Sequence, residues 1–160
     1  MSAELVLRDA VPGDEELVAW FVRALAEYER LSHKARGTAA DFRHALFGSP
    51  PRAWALLAEL EARPVGFALW FYNFSTFEAK PGLYVEDVFV VQEHRGRGIG
   101  RAIFRHLARR ALEEGCTRMQ WWVLNWNAPA IAFYRSIGAA PMDEWTVQRL
   151  DGEALKDFAG

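Results

Sequence analysis

Apolar positions recur along this chain with two different periods, and the period changes where Gly and Pro punctuate it. Leu5 to Arg8 predicts a short opening strand. Pro12-Gly13-Asp14 starts a helix whose acidic first turn suits the positive end of its dipole. Leu17, Phe21, Leu25 and Tyr28 form its apolar stripe. Thr38-Ala39-Ala40-Asp41 has the form of a capping box before a shorter helix carrying Phe42 and Leu46, which Gly48-Ser49-Pro50-Pro51 ends. Ala53 to Leu60, Val65 to Phe74 and Leu83 to Val91 read as three successive strands, the first two joined by a turn over Glu61-Ala62-Arg63-Pro64. From Ile99 to Glu114 the period is helical, with Ile103 and Leu107 on one face and Arg101, Arg105 and Arg109 on another, and Gly115 placed to end it. Arg118 to Leu124 predicts a buried strand. Pro129 suits the first position of a helix carrying Ile131, Phe133 and Tyr134, Gly138 closes that helix, and Thr146 to Leu150 predicts a last strand. The order β-α-α-β-β-β-α-β-α-β is that of an α/β domain with a mixed sheet and helices on its faces.

Composition narrows the class. With 160 residues, about half of them apolar, the chain suits one core, and no linker or repeat divides it; a single domain over 1–160 is expected. A net charge of -2 argues against a general nucleic-acid binder. Cys116 stands alone and can form neither an internal disulfide nor a Cys-based metal cluster. His33, His44, His94 and His106 are scattered without ligand spacing, so no metal is expected. Met1 to Leu5 lacks a basic region followed by an apolar run, and no stretch approaches the ~20 apolar residues of a membrane helix. A cytoplasmic protein without membrane attachment is the expectation.

Candidate chemistry concentrates between β-type and helical periods, in Gln92-Glu93-His94-Arg95-Gly96-Arg97-Gly98-Ile99-Gly100-Arg101. Alternate glycines permit positive φ angles and leave backbone amides unshielded, and the following helix start adds free N–H groups and a positive dipole end. Arg95, Arg97 and Arg101 bring charge and forked donors suited to phosphate. A pyrophosphate fits this combination, although a glycine-rich turn beside a solvated basic helix face would look alike. The spacing matches neither G-x-G-x-x-G nor G-K-[ST].

Arg95-x-x-Gly98-x-Gly100 resembles the pyrophosphate loop of the GNAT acetyltransferase superfamily, whose members bind acetyl-CoA. Leu83-Tyr84-Val85-Glu86-Asp87-Val88-Phe89-Val90 before it, and Trp126-Asn127-x-Pro129-Ala130-x-x-Phe133-Tyr134-x-x-x-Gly138-Ala139 after it, are similar to the branch of spermidine/spermine (diamine) and thialysine acetyltransferases. Weaker similarity lies in Ala26-x-Tyr28-Glu29 and Val65-Gly66-Phe67-Ala68. The resemblance implies a mostly antiparallel mixed sheet with helices on both faces. It also implies acetyl-CoA as co-substrate and a homodimer with the acceptor site at its interface.

Acetyl transfer to an amine needs a held donor, a polarised thioester, a deprotonated ammonium and a protonated leaving thiolate. Primary alkyl amines titrate near 10.4, so a base is required. Glu86 is the candidate: an acid in an otherwise apolar strand needs a reason to be there, which an ion pair at a sheet edge could also supply. Asp87 alternates to the other face unless a bulge intervenes, and the resemblance implies such a bulge, with amides at Phe89 and Val90 meeting the donor. By periodicity alone Phe133 and Tyr134 are core aromatics; by resemblance Tyr134 is the general acid to the CoA sulfur. The implied donor set is Val88, Phe89, Val90, Arg95, Gly96, Arg97, Gly98, Ile99, Gly100, Arg101, Asn127, Pro129 and Ala130, with Asn127 equally suited to cap a helix.

For the acceptor, Tyr28, Glu29, Glu86, Asp87, Trp122 and Glu144 are the candidates, a set fit for a small-molecule amine. Asn125 and Ala128 stand where the polyamine enzymes carry extra glutamates, which weakens the polyamine reading and leaves a polyamine, a smaller diamine or a lysine- or thialysine-like amino acid as the alternatives. A protein or peptide N-acetyltransferase and a non-catalytic acyl-CoA sensor are the other classes. A pure sensor would need neither Glu86 nor Tyr134.

Overall fold

The strand periods join into one sheet in the order β1-β2-β3-β4-β5. The computed structural model describes residues 4–160; residues 1–3, part of the segment weighed above as a signal sequence, lie outside them. The strands are β1 (Leu5–Asp9), β2 (Trp54–Leu60), β3 (Arg63–Ser75), β4 (Lys80–Val90) and β5 (Met119–Gln120). The first four pair antiparallel, and β5 joins β4 in parallel. β2 and β3 form the expected hairpin, closed by Glu61 and Ala62, whose φ angles of 50° and 61° are those of a primed two-residue turn.

Alternation along β2 shows why both faces are covered. Leu56 and Ala58 point to one side, where they pack with Ile99, Ile103, Leu107 and Ala111 of α3 (Ile99–Glu113). Ala55 and Leu57 point to the other, against Val18, Phe21 and Leu25 of α1 (Glu15–Tyr28) and Leu46 of α2 (Ala39–Phe47). On that side Phe21 stacks on Phe67 with ring centres 5.1 Å apart. The capping box of α2 forms as expected: Asp41 N–H donates to Thr38 Oγ1 and Thr38 N–H to Asp41 Oδ2.

The chain divides into Met1–Trp122 and Val123–Gly160. The first contains the sheet and α1 to α3. The second contains α4 (Ala128–Ser136) and α5 (Gly152–Ala159).

Two sequence expectations need correction. The strand expected over Arg118–Leu124 shrinks to Met119–Gln120, paired with Leu83 and Tyr84. The pairing stops just before the register of β4 shifts at Glu86, and a bulge there bends a strand away from its neighbour. Thr146–Leu150 forms no strand: its side chains are exposed, and the described residues of Val123–Gly160 offer no ladder for it to join. The last element is instead α5, foreshadowed by Asp151 at its N-cap, Glu153 in its first turn and Leu155 and Phe158 three residues apart.

Candidate active site

Beyond Tyr84, no strand among the described residues pairs with the second edge of β4, so its final residues carry open backbone groups. The hydrogen bond from Val91 N–H to Val65 O sets the phase. By alternation the amide of Phe89, opposite Phe67, also turns toward β3, whereas those of Val88 and Val90 face the open edge. Sequence reasoning grouped Val88, Phe89 and Val90; alternation leaves Val88 and Val90 as the edge donors.

Past β4 the chain makes a short helical turn over Gln92–His94 and enters the glycine loop. Gly96 and Gly98 adopt φ of 75° and 79°, left-handed conformations that disfavour a side chain, and Gly98 is the N-cap of α3. Gly100 differs from expectation: it lies within α3, with no positive φ. A Cβ at Gly96, Gly98 or Gly100 would meet no protein atom within 4 Å, so the backbone borders open space. The first bond of the α3 ladder runs from Ala102 N–H to Gly98 O, and the amides of Ile99 and Gly100 precede it. Arg97 and Arg101 are exposed beside this concavity. Arg95 turns back: its Nε donates to Val90 O at 2.8 Å, and its guanidinium carbon lies 4.5 Å from the Tyr28 ring centre and 5.1 Å from that of Phe89.

The bulge in β4 answers the question of the two acids. Leu69 pairs with Asp87 and Trp70 with Val85, leaving Glu86 as the extra residue. Val85 and Val88 both pack with the α3-side core while Phe89 packs with the α1-side core. The two acids between the valines therefore leave the α3 side together. Asp87 is largely buried, and its carboxyl is pushed up to about 7, first by desolvation and then by the charges of Glu86 and Glu29. Glu29, the C-cap of α1, is also raised by burial. Tyr84 reaches about 12 through burial and the nearby Glu86 charge. Sequence reasoning did not single out Tyr84, although its place two residues before Glu86 was a usable signal. Its ring lies 4.8 Å from Phe71 and 6.2 Å, edge-on, from the exposed indole of Trp122.

In the second unit, Asn127 caps α4, its Oδ1 accepting from Ala130 N–H at 3.3 Å. Pro129 follows Ala128 in the first turn, one position later than expected. Tyr134 lies on α4, half-buried, with its ring 5.6 Å from that of Phe133. Glu144 is exposed.

Residues 15–139 match the Acetyltransferase (GNAT) family. The chain belongs to that family. The match covers the sheet from β2 onward, the glycine loop and α4. Among its relatives is the thialysine N-epsilon-acetyltransferase of Bos taurus, 34% identical over 99% of both chains. The L-ornithine N5-acetyltransferase of Arabidopsis thaliana is 28% identical over 94% of this chain and 86% of its own. An integron cassette protein from the mobile metagenome of V. cholerae superposes with a TM-score of 0.81 at 27% identity, covering 99% of this chain and 98% of that one. This GNAT protein is thus an N-acetyltransferase, of a family that takes acetyl-CoA as co-substrate. Among the described residues no three His, Cys, Asp or Glu side chains converge as metal ligands, and no helix is long and apolar enough to cross a membrane.

Proposed function

We propose that this GNAT enzyme transfers the acetyl group of acetyl-CoA directly to a primary amine on a small molecule. An amino acid with a side-chain amine, such as thialysine, lysine or ornithine, is the favoured acceptor over a polyamine. The observation that carries this reading is the β4 bulge, which puts Glu86 and Asp87 on one side of the sheet, with Asp87 within electrostatic reach of both Glu86 and Glu29. Such a cluster suits an ammonium group. Relatives named for thialysine and ornithine, and Asn125 and Ala128 where polyamine enzymes carry acids, support the amino-acid choice.

In the proposed reaction the pyrophosphate of acetyl-CoA takes the amides at Ile99 and Gly100 and the charges of Arg97 and Arg101. The pantetheine arm runs along the open edge of β4, where an amide of Val88 or Val90 polarises the thioester carbonyl. The ammonium gives a proton through water to Glu86, and its nitrogen forms the new C–N bond as the C–S bond breaks. Tyr134 protonates the departing sulfur and its phenolate takes the second proton that the nitrogen sheds on becoming an amide, while Glu86 releases its proton to solvent, leaving free CoA and the N-acetylated amine. Asn127, Pro129 and Ala130 at the start of α4 complete the donor set; Tyr28, Trp122 and Glu144 belong to the acceptor set. A homodimer and a cytoplasmic location are part of the same proposal.

A CoA-release screen over thialysine, lysine, ornithine, diamines, polyamines and N-terminal peptides tests the reading. Turnover restricted to peptides would replace the small-molecule assignment with a protein acetyltransferase, and acetyl-CoA binding without any turnover would make the chain a sensor.

Asp87 gives a second test. Its carboxyl is protonated below about 7, so the charge that attracts the ammonium is lost as the pH falls through that value. In kcat/KM for the amine we expect an ascending limb near pH 7, absent in Asp87→Asn, whose kcat/KM is low throughout. Folding has the opposite sign. The folded state holds this proton more tightly than the unfolded chain, whose Asp titrates near ~3.9. Stability therefore falls as pH rises from there toward 7, and Asp87→Asn flattens that slope in pH-dependent melting curves. A limb that persists near 7 in Asp87→Asn would assign it to another group.

A further inference from the structure

Arg95 is held in a way that phosphate binding does not require. Its guanidinium joins two elements of the fold: β4, through the carbonyl of Val90 at the open edge and the ring of Phe89, and α1, through its last residue Tyr28. The two rings lie 6.4 Å apart, and Phe89 is also met edge-on by Phe21 at 6.5 Å. A cation seated against two ring faces with its Nε bonded to a backbone carbonyl has little freedom to move.

The residue after Tyr28 is Glu29, whose N–H still donates to Leu25 O and whose charge is felt by Asp87. An acid at a helix C-terminus opposes the dipole, and α1 has no basic residue in its last turn to offset it. The backbone of this helix end is closed by Leu31 N–H donating to Ala26 O and Arg30 N–H to Glu27 O, and the Arg95–Tyr28 contact adds the side-chain hold that ties it to β4.

We infer that Arg95 is a positioning residue for the acceptor: by clamping Tyr28 against Phe89 it fixes Glu29 beside Asp87, and so governs capture of the amine rather than of the phosphates. This rests on the amine acetyltransferase reading above. The charged groups facing Asp87 are Glu86 on its own strand and Glu29 at the end of α1, so displacing Glu29 removes one of two carboxylates from the amine's surroundings.

The experiment uses the full chain with acetyl-CoA and thialysine and compares Arg95→Lys, Tyr28→Leu and Tyr28→Phe. Lysine keeps the charge for a phosphate but cannot stack a planar fork on two rings while bonding Val90 O. Arg95→Lys and Tyr28→Leu should each raise KM for thialysine about 5–20-fold, with KM for acetyl-CoA within about twofold of wild type. Tyr28→Phe, which keeps the ring face, should leave hydrogen exchange at the amides of Glu29 and Arg30 as in wild type. A rise confined to the acetyl-CoA KM in Arg95→Lys, or a Tyr28→Phe variant whose exchange at Glu29 and Arg30 is as fast as that of Tyr28→Leu, overturns the inference. Hydrogen exchange at the amides of Glu29 and Arg30 reads the clamp without turnover. Faster exchange in Arg95→Lys and Tyr28→Leu supports it, and unchanged exchange overturns it. Wild-type protein that acetylates no amine yet shows this exchange response would defeat the proposed function and leave the clamp standing.

Discussion

Tyr134→Phe is expected to lower kcat by roughly 10²–10⁴ while leaving the fold and the KM for acetyl-CoA nearly unchanged. The substitution removes one hydroxyl from a half-buried ring on α4 and keeps its contact with Phe133. Loss of one hydrogen bond costs about 0.5–1.5 kcal/mol of stability, too little to unfold a typical domain. The rate effect arises only if the hydroxyl delivers the proton that the CoA sulfur needs as the C–S bond breaks. A general acid must be protonated to act, so wild-type kcat should fall on the alkaline side, and that fall should be missing in the variant. Single-turnover CoA release beside a melting curve separates the two roles. Unchanged kcat with a lowered melting temperature would make Tyr134 a packing aromatic like its neighbour Phe133.

The sheet, α1 to α3 and the glycine loop were legible because each rests on local periodicity and turn chemistry: alternating apolar residues in β2, the Thr38–Asp41 box, the Gly-Arg spacing before Ile99. What was not legible depends on neighbours. A strand such as Thr146–Leu150 has the right pattern, but a ladder requires a partner that the pattern cannot supply. The length of β5 is set by where β4 bends, not by its own apolar run. The same bend reverses the parity of β4, so the alternation that sent Asp87 away from Glu86 fails at the residue where the chemistry is proposed. Arg95 illustrates a subtler limit. Spacing identified it as a cation in an anion-binding loop, whereas its contact with Tyr28 joins segments more than sixty positions apart in sequence.

Gly100→Ala should raise the melting temperature and weaken the enzyme at the same time. Gly100 is in the first turn of α3 without a positive φ, so alanine meets no backbone strain there and can gain up to about 1 kcal/mol of helix stability. The new methyl would touch no protein atom within 4 Å, which removes the usual reason for such a substitution to harm folding. In the proposed complex that open space holds the donor's pyrophosphate, close to the amides of Ile99 and Gly100. A methyl group there pushes the phosphate outward and lengthens charge-assisted hydrogen bonds that contribute about 1.5–3 kcal/mol each. The KM for acetyl-CoA should rise about 10–100-fold, with the amine KM little changed. Gly98→Ala cannot serve the same purpose, because its φ of 79° strains any side chain and confounds folding with binding. The opposed signs make Gly100→Ala decisive. Greater stability with an unchanged acetyl-CoA KM would mean that the phosphates do not lie against this turn. Lower stability would mean that the glycine serves the fold, and only a gain in one with a loss in the other follows from a backbone kept bare for its ligand.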